Sequence, residues 1–229
     1  MKWRRGVSLA GIYNSGGVQL KPQESRNAIF NGALNELCIK LARNKYLCKT
    51  WNIPEPVDDE KEPSDILLAN NSFREMEDVE LVLRFFANRQ REELFKSSIN
   101  FSNFLDNYLR YGNQLPEETL KLMSKVFEDT IEFIYELLGE KAFWLFRQRN
   151  GKWNWYSRPT TAAYDSIMLV ATGFLPRKAE ILKSQPVAED MLAEFYKANY
   201  STFEGRNTNP SVLKEREIKF KEFFESLIK

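Results

Sequence analysis

Hydrophobic residues recur at the spacing of an α-helix along most of the chain. Between residues 76 and 95 (MEDVELVLRFFANRQREELF), Val79, Leu83 and Phe86 share one face of a predicted helix. Residues 116–139 predict another helix, because a proline and glutamates open the segment and a glycine closes it. Further helices are predicted from Pro22 onward with a break at Asn31-Gly32, and at 101–110, about 159–174, 177–185, 187–199 and 210–228.

Strand patterns are confined to two short stretches. Residues 148–156 (QRNGKWNWY) place aromatic residues in alternation beyond Asn150-Gly151, a pair that is typical of two-residue hairpin turns. Residues 7–20 (VSLAGIYNSGGVQL) can form a second small pair of strands. We therefore expect a mainly α fold, a single multi-helix domain with one or two small β-hairpins.

The expected organisation has two parts of unequal length. Residues 1–20 are interpreted as a short joint or strand segment, and residues 21–229 as the helical domain. Within that domain, residues at about 50–72 hold three prolines and an acidic run, which predicts a long surface loop. The chain shows no internal repeat and no low-complexity tract.

The charge balance sets limits on the partners. The 229 residues include 33 Lys and Arg against 32 Asp and Glu, a net charge of +1, so binding to nucleic acid needs a local patch. No apolar run approaches the roughly 20 residues of a membrane helix, and the first ten residues lack the apolar core of a signal peptide. We therefore expect no membrane partner. Since there are only two cysteines, Cys38 and Cys48, we expect a cytoplasmic protein with reduced thiols.

Histidine is absent from the chain, and this excludes many kinds of catalytic site. A protein without histidine has no Ser-His or Cys-His nucleophile pair, no HNH-type nuclease and no histidine-containing zinc site. Two cysteines do not fill a four-ligand structural zinc site either. Hydrolysis would have to use carboxylates with a hard cation, or lysine. We expect no cofactor, no metal site and no catalytic residues.

Several short motifs follow one another in a recognisable order. The first contains Asn14, Gly16, Gly17, Leu20, Gln23, Glu24, Arg26, Asn27 and Ala28. Later segments contain Glu80, Leu83, Arg84 and Phe85, then SNFLDNYL, then LGEKAFWLF followed by Asp165, and finally YSTFEGRNTNPSVLKERE. In this order they resemble the helical region of GmrSD-type proteins, a family of modification-dependent restriction and phage-defence proteins.

The chain also departs from that family's pattern. Ile12 stands where the family tends to have arginine, and the Asp-Gly-Gln-Gln-Arg motif of the family's nucleotide-associated ParB-like domain does not occur. The HNH nuclease of many members is excluded by the lack of histidine. The resemblance therefore implies that this chain is the helical half of such a protein. It is compatible with a natural stand-alone protein, a shortened gene product or an excised domain.

The main candidate site is a basic and aromatic segment around the predicted hairpin. It contains Arg147, Arg149, Lys152, Trp153, Trp155 and Arg158, and no acidic residue lies between Lys141 and Asp165. Basic side chains neutralise phosphates, and flat aromatic rings stack on unpaired bases. The competing interpretation, which we favour, is that the tryptophans pack inward while the charges point to solvent.

A second candidate is the family-like joint, with Asn14, Gly17, Glu24 and Arg26. The resemblance allows Glu24 and Arg26 to have faced a nucleotide pocket, but helix capping and domain packing are favoured. The acidic run at Asp58, Asp59 and Glu60 fits a solvated loop better than a cation site.

Three functions remain after these exclusions. The favoured one is a non-catalytic helical module of a restriction or defence protein, which binds DNA or docks on a partner chain that carries the missing catalytic domain. The alternatives are a small enzyme that uses carboxylates and a metal, and a truncated family fragment without activity of its own. A homo-oligomer is compatible with each of them.

Overall fold

The computed structural model describes residues 20–57, 62–95, 99–204 and 210–228. Over these residues the protein is mainly α with one small antiparallel β-hairpin, as the sequence predicts. None of the described helices combines the length and the apolar character that crossing a membrane requires. The chain divides into two compact units: unit 1 comprises Met1–Arg43 and Pro56–Ser124, and unit 2 comprises Asn44–Glu55 and Lys125–Lys229.

The helices of the first half match several of the predicted segments, but the helix predicted over residues 76–95 is divided in two at Arg89 and Gln90. They are α1 (Pro22–Ile29), α2 (Ala33–Ala42), α3 (Lys45–Trp51), α4 (Asp65–Ala69), α5 (Asn71–Arg74), α6 (Glu77–Asn88), α7 (Arg91–Leu94) and α8 (Phe101–Gly112). The break at Asn31-Gly32 lies between α1 and α2 as expected. Both ends of the predicted 50–72 loop are helical, because Trp51 is buried in α3 and the side chains of Ser64 and Asn70 cap α4 and α5.

The second half holds the long helix and the hairpin. Its elements are α9 (Glu117–Leu138), β1 (Trp144–Arg149), β2 (Lys152–Pro159), α10 (Thr161–Phe174), α11 (Lys178–Ile181), α12 (Gln185–Ala198), α13 (Tyr200–Phe203) and α14 (Pro210–Ser226). Short 3₁₀ turns flank α11, so the segment predicted as one helix at 177–185 is only partly α-helical. The second strand pair predicted at 7–20 lies outside the described residues, apart from Leu20.

Helix α6 is the centre of unit 1. Its apolar residues are buried on nearly every side, including Leu81, Val82 and Phe86, and α2 and α8 pack against it. Each such side chain contributes roughly 1.5–3 kcal/mol when it leaves water. Gly112 at the end of α8 permits the close approach to α2, because a Cβ there would lie 2.2 Å from Cδ2 of the fully buried Leu34.

Aromatic residues dominate the core of unit 2. Phe195 and Tyr196 of α12 contact Phe203 and Phe220 with ring centroids 4.8–6.1 Å apart. Helices α10 and α14 pack together, and β1 packs against α12. This arrangement fixes the hairpin on a rigid aromatic base.

The two cysteines are buried, one in each unit. Cys38 lies on α2 in unit 1, and Cys48 lies on α3 in unit 2. Neither thiol forms a disulfide.

Candidate nucleic-acid interface

The predicted hairpin turn is present and has the backbone that its sequence requires. Asn150 has a φ of 52° and Gly151 a φ of 75°, so both turn residues are left-handed. Two-residue turns of this kind match the right-handed twist of the strands, and Asn-Gly is their preferred pair. The turn places Arg149 directly opposite Lys152, and both side chains are exposed. The tip of the hairpin therefore carries two adjacent cations.

Two more arginines lie further along the hairpin, and they differ in their surroundings. Arg158 is exposed, with its guanidinium 5.9 Å from the centre of the Tyr156 ring. Arg147 is half-buried, lies 5.6 Å from the same ring, and donates from Nη2 to the carbonyl oxygen of Phe203 at 2.9 Å. Arg147 is thus held by the fold, whereas Arg158 is available to solvent.

The hairpin tryptophans are half-buried in aromatic contacts. The Trp153 ring is stacked at 5.9 Å on Phe146 and meets Tyr200 edge-on at 5.5 Å. The Trp155 ring lies edge-on to Phe146 at 5.1 Å and to Tyr196 at 6.3 Å. These contacts are those of rings that anchor the hairpin to α12 and α13. They match the packing interpretation of the sequence pattern.

The structure describes two of the four joint candidates, Glu24 and Arg26. Asn14 and Gly17 lie outside the described residues. The carboxylate of Glu24 accepts the backbone N–H of Lys21 at 2.7 Å, at the start of α1. This bond is the capping role that a glutamate in the first turn of a helix commonly has.

Arg26 is the most strongly bonded of the candidate residues. Its side chain is 3% exposed, and its guanidinium donates to Asp106 Oδ1 at 2.6 Å, Glu80 Oε2 at 2.7 Å and Ser102 Oγ at 2.7 Å. Glu80 also pairs with Arg84 at 3.4 Å. Arg26 belongs to unit 1, and the hairpin residues belong to unit 2.

The sequence did not indicate a second buried cation, Arg216 of α14. Its side chain is fully buried, and Nε donates to the carbonyl oxygen of Thr202 at 3.0 Å. Burial lowers the pKa of Arg216, and the charge of the buried Asp165 opposes this effect. Arg147 and Arg216 thus bind consecutive carbonyls at the end of α13. Helix α14 is rich in lysine and glutamate, so its sequence does not indicate that the side chain of Arg216 is buried.

No metal centre is found in the part of the chain that the structure describes. No group of three or more Cys, Asp or Glu side chains there could hold a metal ion. The acidic run Asp58, Asp59 and Glu60 lies outside the described residues.

Comparison of the chain with protein-family models, with curated proteins and with solved structures finds no match.

Proposed function

We propose that this chain is a non-catalytic helical module of a restriction- or defence-type protein, and that it binds DNA through its β-hairpin. The observation that carries the proposal is the set of three exposed cations on the hairpin, Arg149, Lys152 and Arg158. No acidic residue occurs between Lys141 and Asp165 to neutralise them within this segment. Contacts from basic side chains to phosphates supply most of the sequence-independent affinity for DNA.

The shape of the hairpin supports this function. A two-stranded β-ribbon is narrow enough to enter the major groove of B-form DNA. The rigid base formed by Trp153, Trp155 and α12 fixes the ribbon, so little conformational entropy is lost when it binds. In this proposal the tryptophans position the cations and do not stack on bases.

The resemblance to the helical region of GmrSD-type proteins supports the wider setting of the proposal. It implies a partner chain or domain that supplies catalysis, and this partner stays a prediction. The test therefore concerns DNA binding alone.

The first prediction concerns the tip of the hairpin. We expect the double variant Arg149→Ala/Lys152→Ala to bind duplex DNA more weakly, with the salt dependence of the affinity reduced by about two units of log-log slope. The measurement is fluorescence anisotropy with labelled duplex DNA over a range of salt concentrations. The control Lys125→Ala/Lys221→Ala removes the same charge from exposed positions on α9 and α14. If the tip variant and the control bind DNA equally well, the hairpin is not the binding surface.

The second prediction distinguishes a packing role of Trp155 within the fold from direct contact with DNA bases. Trp155→Ala removes the ring that contacts Phe146 and Tyr196, so we expect the free energy of unfolding to fall by about 3 kcal/mol. Urea denaturation measures this loss. If instead the fold keeps its stability and DNA affinity falls by about 1–3 kcal/mol, Trp155 stacks on bases and the positioning role is wrong.

A further inference from the structure

Unit 1 contains a cavity that is separate from the hairpin. It has a volume of about 610 Å³ and lies among the end of α6, α7, α8 and the start of α9. The described residues that line it are mostly apolar or aromatic, two of them tyrosines, and the others include two amides, one threonine and one cation. They include Phe86, Leu94, Phe104, Tyr108, Leu115 and Met123. This volume is in the range of about 300–1,000 Å³ that is typical of small-molecule sites.

The cavity has a rigid floor and an open apolar rim. Phe86, Phe104 and Tyr108 are buried core residues, so their side chains form fixed walls. Leu94 and Tyr111, which also line the cavity, remain 48% and 66% exposed. A ligand that covers large exposed apolar side chains beside a cavity removes them from water, and this favours binding.

The polar groups of the wall define the charge of the ligand. Among the described lining residues, Arg89 alone is charged, and the structure places its guanidinium 5.8 Å from the centre of the Phe85 ring. Burial raises the pKa of Tyr108 to about 12, and the nearby charge of Arg89 opposes that rise. Arg89 and Tyr108 thus line the same cavity, and the charge of Arg89 favours ionisation of the phenol. The side-chain amides of Gln90 and Asn107 add further hydrogen-bond donors to the wall.

We propose that this cavity binds a small amphipathic carboxylate, with its apolar part between Phe86, Phe104 and Met123 and its carboxylate at Arg89. An arginine matches a carboxylate in both charge and planar geometry. No described side chain in the wall repels an anion, whereas a cationic ligand would meet Arg89. The site lies in unit 1 and does not depend on the function proposed for the hairpin.

The first test uses the whole chain with methyl-labelled methionine and NMR. Decanoate, below the concentration at which it forms micelles, is the probe, and decanol is the neutral control of the same length. We expect decanoate to shift the Met123 methyl signal and to leave the signal of Met168, which is fully buried in unit 2, unchanged. Decanol should bind at least about tenfold more weakly, since it lacks the charge-assisted bond to arginine.

The second test uses variants and calorimetric titration with decanoate. Arg89→Ala should raise the dissociation constant at least about tenfold. Arg110→Ala is the matched control, because Arg110 is also an exposed arginine beside an aromatic ring, that of Phe30, but does not line the cavity. Thr119→Trp fills the cavity from the half-buried side of α9 and should abolish binding of decanoate.

Three results would overturn the proposal. They are a Met123 signal that decanoate does not move, equal affinities for decanoate and decanol, and equal losses for Arg89→Ala and Arg110→Ala. The NMR test uses the unmodified chain, so it decides the question even if Thr119→Trp does not fold.

Discussion

At the scale of single residues, Arg26 shows how one buried cation joins three helices. From α1 it reaches Glu80 on α6 and both Asp106 and Ser102 on α8. A buried charge costs free energy unless it is paired and hydrogen-bonded, and here the planar guanidinium has partners on several sides. The sequence identified Arg26 only through a family-like motif, because its partners on α6 and α8 are more than 50 positions away.

The third prediction follows from these bonds. Arg26→Ala leaves the carboxylates of Glu80 and Asp106 without their shared partner, and we expect the free energy of unfolding to fall by about 3 kcal/mol. This is the lower end of the usual range, because the two carboxylate side chains are 26% and 35% exposed. Arg26→Lys should recover only part of the loss, since lysine cannot repeat the planar geometry.

The measurement is urea denaturation of each variant. Lys21→Ala is the control, because the Lys21–Glu75 pair is exposed and is expected to contribute at most about 1 kcal/mol. Equal losses for Arg26→Ala and Lys21→Ala would contradict the central role of Arg26.

A second residue, Asp78, makes stability depend on pH. Burial raises the pKa of this carboxyl from 3.8 to about 7, against the backbone N–H of Val79 and the charge of Arg43, which favour ionisation, while Glu77 adds to the rise. Between pH 3.8 and about pH 7, Asp78 is ionised in the unfolded chain and protonated in the folded chain. The stabilising contribution is therefore complete below about pH 4 and is lost as pH rises towards 7.

The fourth prediction compares Asp78→Asn with the parent chain. Asparagine does not titrate, so the parent should lose up to about 4 kcal/mol relative to the variant between pH 4 and pH 7, since each pKa unit corresponds to about 1.4 kcal/mol. Urea denaturation at several pH values gives the difference. A difference that stays constant over this range would show that Asp78 ionises normally in the folded chain.

At the scale of elements, the sequence predicted the helix ends and turns whose capping or turn residues are neighbours in the chain. Asn150-Gly151 predicted the hairpin, and the proline and glutamates at the start of the long helix predicted α9. The start of α2 is different, because its N-cap is Gly32, which has no side chain. Asn113, at the end of α8, supplies the cap from 79 positions away, accepting the backbone N–H groups of Leu34 and Asn35. A sequence pattern cannot show a cap that comes from another helix.

The fifth prediction tests this remote cap. Asn113→Ala removes the acceptor of two N–H groups and also the bond that Asn113 donates to the carbonyl oxygen of Phe30 at 2.7 Å. We expect a loss of about 1–2 kcal/mol and faster hydrogen exchange at Leu34 and Asn35. Asn103→Ala, at an exposed position of α8, is the control and should leave exchange at α2 unchanged.

At the scale of the whole molecule, the fold class could be predicted and the division into units could not. Helical periodicity is a property of neighbouring residues, so the mainly α fold follows directly from the sequence. Unit 2 instead assembles Asn44–Glu55 with residues beyond position 124. Contacts between segments so far apart in the chain produce no periodic pattern in the sequence. The same distinction applies to the site. The alternating pattern of the hairpin segment indicated cations that point to solvent, while the bond of Arg147 to Phe203 depends on the folded chain.

The two buried cysteines, one in each unit, allow the opening of each unit to be measured separately. A buried thiol does not react with a maleimide until its surroundings open, and burial raises the pKa of Cys38, which slows the reaction further. Cys38 therefore reports the opening of unit 1, and Cys48 reports the opening of unit 2. Labelling followed by mass spectrometry of peptides would time each event in the unmodified chain, so the kinetic stability of the two units can be compared without introducing a probe.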